Sequence, residues 1–159
     1  MTKITDQHSI TDYLAINREF VERHHKPRPD WKHQSYYGLI LDEGRHWSPE
    51  DLADARVMAG VPKQCYKNAA DRACASSGEY VYWEGWAWPK GLIPVEHAWV
   101  TDVNGVLVET TWRVVATEYV GVTFDDLTLR KKLVGQSYYG LLNNDFSNHE
   151  FLRYGVTRG

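Results

Sequence analysis

The sequence predicts an α+β domain in which N-terminal helices pack on an antiparallel β-sheet. Two observations carry this: helical signals occupy much of the chain up to about residue 76, and strand-forming runs punctuated by turn signals follow. A chain of 159 residues fits a single domain over 1–159. A domain of that size buries roughly two thirds of its unfolded surface and needs no disulfide or metal to hold a core.

Each element has its own signal. Ser9-Ile10-Thr11-Asp12 is a capping box with Asp in place of the usual Glu or Gln, and Ile10, Leu14, Phe20 and Val21 suit a helix to about Arg23. Lys26-Pro27-Arg28-Pro29-Asp30 ends it, because proline cannot continue a helix. Ser48-Pro49-Glu50-Asp51 places Pro and two acids at a helix start, predicting a second helix to Ala59 that stops at Gly60. Pro62 opens a third over roughly residues 63 to 76, closed by Ser76-Ser77-Gly78. Tyr80 to Trp88 is rich in strand formers, and Pro89-Lys90-Gly91 breaks it. Val95 to Asp102, a hairpin turn at Asn104-Gly105, and Val106 to Trp112 read as two further strands, with another around Glu118 to Thr123. The last 35 residues carry no clear pattern. Gln34-Ser35-Tyr36-Tyr37-Gly38-Leu39 recurs as Gln136-Ser137-Tyr138-Tyr139-Gly140-Leu141, but the flanks differ, so no repeat architecture follows.

Charge and composition exclude some classes. The net charge is −3, and the longest block of like charge is Arg130-Lys131-Lys132, which argues against a nucleic-acid binder. No run approaches the roughly 18 apolar residues of a membrane span, and Met1 to Asp6 lacks an apolar signal core. A cytoplasmic location is therefore expected. Cys65 and Cys74, nine positions apart on one helix, would lie roughly 13 Å apart along the axis, too far for a disulfide. Two free thiols are expected. His24, His25, His33 and His46 match no metal-ligand spacing, and no phosphate-binding glycine loop is present, so neither metal nor cofactor is expected.

Three segments carry a chemistry. Gln64-Cys65-Tyr66-Lys67 puts a cysteine in the first turn of a helix, where unpaired N–H groups and the dipole favour the thiolate. Glu96-His97-Ala98-Trp99 puts a histidine in a strand, where it can pair with the thiolate and shuttle a proton. Val108-Glu109-Thr110-Thr111-Trp112 puts a carboxylate on the next strand, within reach of the ring across about 4.8 Å of sheet. A bulge or a diagonal placement is needed for His97 and Glu109 to meet. Asp102 is the competing acid, but it stands five residues past His97 on the same strand, and an odd separation points the two side chains to opposite faces. The backbone N–H of Cys65 is the first choice of oxyanion donor, with Gln34 and Gln64 as side-chain candidates. Trp83, Trp86 and Trp99 are candidates for a wall beside the cleft. Each residue also has a plain structural reading: Cys65 as a small core side chain, His97 as a satisfied strand histidine, Glu109 as a solvent-facing one, and the tryptophans with Trp112 as core.

The pattern His97-Ala98-Trp99-Val100, a turn with Gly105, then Val108-Glu109-Thr110-Thr111-Trp112 resembles that of the transglutaminase-like and papain-like cysteine enzymes, in which a His-Ala-Trp strand precedes one bearing Asp-Pro-Thr. The order of cysteine, histidine and acid also matches, over roughly residues 62 to 112. Glu109 stands where that family has Asp, Thr110 where it has Pro, and Gln64 where it often has Trp or Gly. The pattern is also similar to that of short bacterial and phage proteins, which implies no activity. The resemblance implies a papain-like or transglutaminase-like core over about 48–125, with Cys65 as nucleophile, His97 as proton shuttle and Glu109 as its orienting acid. It implies acyl transfer from a protein, peptide or small amide to water or an amine. The second reading is a non-catalytic binding or inhibitor module on the same fold, acting through an aromatic patch.

Overall fold

The computed structural model describes residues 9–136, 138–142, 145 and 148–156. It is an α+β architecture: N-terminal helices lie against a six-stranded sheet curled into a half-barrel. The elements in order are α1 (Ile10–Arg23), α2 (Tyr36–Glu43), β1 (Arg45–Trp47), β2 (Arg56–Val57), α3 (Cys65–Ala75), β3 (Val81–Trp88), β4 (Val95–Thr101), β5 (Leu107–Glu109), β6 (Glu118–Thr123), α4 (Asp126–Gly135) and α5 (Glu150–Tyr154).

The sheet runs β1-β6-β3-β4-β5-β2. All neighbours are antiparallel except β2 and β5, which are parallel, so the expected all-antiparallel sheet is corrected to a mixed one. The parallel edge also explains why the helix expected over Ser48 to Ala59 does not form. Ser48 and Asp51 make a reciprocal box at the expected helix start, with Asp51 N–H donating to Ser48 Oγ and Ser48 N–H to Asp51 Oδ2. The chain then closes only three-residue turns, Leu52 to Pro49, Ala53 to Glu50 and Ala55 to Leu52. Arg56 and Val57 pair with Val108 and Glu109 instead, and Met58 N–H extends that ladder to Glu109 O. Tertiary pairing has overridden a local helix signal.

The main core lies between the helices and one face of the sheet. Ile10 and Leu14 of α1, Leu39 and Ile40 of α2, and Ala69, Ala70 and Ala73 of α3 meet Tyr82, Ala98, Val100 and Val120. The capping box at Ser9 and Asp12 forms as the sequence indicates, and α1 ends at Arg23. A smaller cluster of Trp47, Trp99, Leu107 and Tyr119 fills the other face. Gly121 makes room for it: a β-carbon there would sit 2.7 Å from the Trp99 ring. The repeated hexapeptide takes two conformations. In the first copy Ser35 caps α2 with Gly38 inside the helix, whereas in the second Gly140 has φ +98° in an irregular segment, and Ser137 lies outside the described residues.

Candidate active site

Cys65 is the first residue of α3, two positions later than the helix start expected from the sequence, so its N–H is one of the donors that a helix leaves unpaired. The side chain is partly buried. The helix is fixed to the acid-bearing strand by Asn68, one turn further on, whose Nδ2 donates to Thr111 Oγ1 at 2.9 Å and to Val61 O at 2.9 Å. Packing there is close: a β-carbon on Gly60 would meet Thr110 O at 2.4 Å and Asn68 Nδ2 at 2.6 Å. Gly60 N–H in turn donates to Thr111 O.

His97 on β4 is 1% exposed and Glu109 on β5 is 0% exposed. The register pairs Val100 with Val108 and Thr101 with Leu107. One further step places Glu109 opposite Trp99, so Glu109 reaches His97 along the diagonal and no bulge is needed. His97 Nε2–H donates to both carboxylate oxygens, at 2.9 and 3.1 Å. Glu109 is acceptor-only, so this assigns the proton to Nε2 and leaves Nδ1 for the thiol. The Cys65 thiol lies close enough to the ring to favour its protonated form.

Glu109 is itself held from three more directions. Tyr119 Oη donates to Oε1 at 2.7 Å, while the N–H groups of Thr111 and Trp112 donate to Oε2 at 2.9 and 3.0 Å. The chain leaves the β5 ladder right after Glu109, and this departure turns those two amides back onto the carboxylate. It also lays the Trp112 indole flat over the imidazole, with ring centres 3.7 Å apart and planes 7° apart.

These contacts set the charges. Burial opposes a proton on His97, but the Cys65 thiol and the Glu109 carboxylate outweigh it and raise the ring from 6.5 to about 9. Burial likewise pushes Glu109 up, yet the bond and charge of His97, with Tyr119 and the Trp112 amide, hold it below its ordinary value. The result is an imidazolium between a thiol and a carboxylate. That arrangement can favour a thiolate nucleophile and hand a proton to a leaving group.

The other sequence candidates separate clearly. Asp102 closes the hairpin, accepting from the N–H groups of Asn104 and Val106 and from Arg56, and has no bond to His97. Trp99 is fully buried core, and Trp83 packs edge-on to Trp47 while donating to Thr101. Trp86 lines an open recess together with Tyr66, the residue after the cysteine. Gln64 is the exposed N-cap of α3 and makes no side-chain cap bond. Gln34 is tied to Arg28 through its side-chain amide. His33 bonds Glu43, His46 bonds Glu118, and His25 meets the Gln34 carbonyl, so these histidines are engaged one by one. Cys74, near the other end of α3, is partly buried against the main core, which pushes its thiol up.

The part that Tyr119, Asn68 and Gly60 play at the site was not read from the sequence, where Gly60 was expected only as a helix stop. Tyr119 stands in the strand expected over Glu118 to Thr123, but nothing local marks it as a partner of Glu109. The Thr-Thr-Trp run after Glu109 was the available signal for Thr111 and Trp112. Comparison of the chain with family models, curated proteins and solved structures finds no match.

Proposed function

We propose that this protein is a thiol-dependent acyl-transfer enzyme using Cys65, His97 and Glu109. The observation that carries the reading is the buried His97–Glu109 pair together with a helix-N-terminal Cys65 whose thiol influences the ring. Four donors fix Glu109, Glu109 fixes the ring, and Trp112 excludes water from one ring face. A histidine stabilised so thoroughly in one tautomer and orientation is what general acid–base work demands. Helix cysteine, histidine strand and acid strand follow one another as in transglutaminase-like and papain-like cores, which supports assigning the sheet and α3 to that architecture.

In the proposed cycle the Cys65 thiolate attacks an amide or ester carbonyl. The oxyanion is received by the Cys65 N–H at the start of α3. His97 then protonates the departing amine or alkoxide through Nδ1, while Glu109 balances the charge on the ring. The thioester is resolved by water or an amine that His97 deprotonates in turn. The test is to treat the protein with p-nitrophenyl acetate and locate acetyl groups by mass spectrometry. The reading predicts a burst of p-nitrophenol and acetyl on Cys65, absent in Cys65→Ala. Acetylation confined to lysines, at equal rates in both proteins, refutes it and leaves a non-catalytic module.

A further inference from the structure

The recess lined in part by Tyr66, the residue after Cys65, has a definite chemical character. It has a volume of about 160 Å³ and is lined by Tyr36, Tyr66, Trp86, Glu84 and Glu96, with Ile40, Gly85 and Leu142 completing it. Three walls are aromatic, two are carboxylates and none is a cation. Glu84 spends its oxygens on the amides of Leu141 and Leu142 and on Tyr82, so its position is fixed. Glu96 is exposed and makes no ion pair or hydrogen bond among the described residues. Its strand position faces Trp86 across the β3–β4 pair. Around Trp86 stand Tyr13 and Tyr37, with ring centres 6.0 and 5.6 Å away.

We propose that this recess receives a cationic group, an ammonium or a guanidinium, belonging to the molecule whose carbonyl acylates Cys65. The proposal rests on the acyl-transfer reading for its link to the thiol and on the recess alone for the choice of ligand. Aromatic faces and carboxylates both attract cations, and a set of mutually tilted rings beside an acid with no ion pair is an arrangement that holds them. The negative field is visible elsewhere: Tyr66 is raised chiefly by burial, then by Glu84 and Glu96. The volume equals about five waters of the bulk liquid, which suits a guanidinium or an ammonium on a short stem. Tyr66 joins recess and thiol, since it directly follows Cys65. The group held there is a spectator rather than the attacking amine, because carboxylates and π-faces keep an amine protonated and thus non-nucleophilic.

Two measurements test this. The first is calorimetric binding of butylguanidine and of its neutral counterpart butylurea to Cys65→Ala and to Cys65→Ala with Glu96→Gln. We expect butylguanidine to bind at least about fivefold more tightly than butylurea, with the preference lost on Glu96→Gln and weakened on Trp86→Leu. Equal binding of the two, or a preference indifferent to Glu96→Gln, overturns the proposal. The second is acylation of the wild-type protein by the p-nitrophenyl esters of 4-guanidinobutanoate and 4-ureidobutanoate. Faster acylation by the guanidino ester supports the proposal in full. Cation binding without acylation by either ester keeps the recess and removes the acyl-transfer reading. Acylation by both esters at one rate keeps acyl transfer and removes the cation site from it.

Discussion

Glu109→Gln is the substitution whose consequence the geometry defines most fully. The carboxylate accepts His97 Nε2–H and Tyr119 Oη–H on the Oε1 side, and the Thr111 and Trp112 amides on the Oε2 side. A glutamine amide has only one oxygen. If its NH₂ faces the two backbone amides, donors confront donors at a buried site, at a cost of about 1–3 kcal/mol for each unsatisfied group. Turning the NH₂ toward His97 is cheaper, because Nε2 can become the acceptor, but the ring proton then moves to Nδ1. A ring protonated there presents N–H to Cys65 and cannot take the thiol's proton. Loss of a buried, charge-assisted network by either route should cost about 3 kcal/mol, or roughly 6–12 °C in melting temperature for a domain of this size. From sequence alone this replacement looks conservative; burial of Glu109 at 0% exposure makes it a structural lesion too. Activity must therefore be measured on protein shown by circular dichroism to be folded at the assay temperature. We expect the acylation rate to fall by roughly 10³–10⁴, while Asp102→Asn leaves it unchanged. Folded Glu109→Gln protein retaining a third or more of the rate would refute the role assigned to the acid.

Other outcomes follow from the same contacts. Tyr119→Phe removes one of the four donors on Glu109 and leaves the tautomer unaltered, so the rate should drop by only about three- to tenfold in the same acylation assay. Gly60→Ala forces Thr110 O and Asn68 apart and should lower stability by about 1–3 kcal/mol in urea denaturation, with Cys65 displaced from His97 and acylation reduced accordingly. Cys74→Ser should preserve acylation, because that side chain sits near the opposite end of α3 from the ring; loss of activity with the fold intact would reassign the thiols. Stability should follow the pair's titration. His97 is raised from 6.5 to about 9, so its contribution is complete below about 6.5 and lost as pH climbs through about 9. Glu109 is lowered from 4.5, so its contribution holds above that value and disappears as pH falls through the depressed one. The gap in melting temperature between wild type and Glu109→Gln should accordingly narrow above about pH 9.

What the sequence revealed depended on the range of the interaction. The Ser9–Asp12 box, the helix opened after Pro62, and the turn at Asn104-Gly105 rest on neighbours a few residues apart, and all three form. The box at Ser48–Asp51 forms as well, but the chain beyond it is claimed by β5, a partner some fifty residues away that local reading does not weigh. The helix α2 and strand β1 escaped notice for a related reason: Tyr36–Glu43 has too few turns for a clear period, and Arg45–Trp47 becomes a strand only by pairing with β6. The placement of Cys65 at a helix start and the meeting of His97 with Glu109 were legible because each residue type suits its element. Tyr119 and Trp112 were not, since their bearing on Glu109 and His97 exists only once β5 ends and the chain folds back.

The central claim is that His97 stabilises a thiolate at Cys65, and the pH dependence of alkylation tests it most directly. Iodoacetamide labelling of Cys65, read by peptide mass spectrometry, should be compared between wild type and His97→Asn from pH 5.5 to 9.5. An ordinary thiol is roughly 0.3% ionised at pH 6 and gains about tenfold in rate per unit up to its midpoint near 8.5. We predict that wild-type labelling at pH 6 stays within about tenfold of its rate at pH 8, whereas His97→Asn follows the steep profile of an ordinary thiol. A wild-type profile that climbs tenfold per unit and coincides with that of His97→Asn would contradict the account.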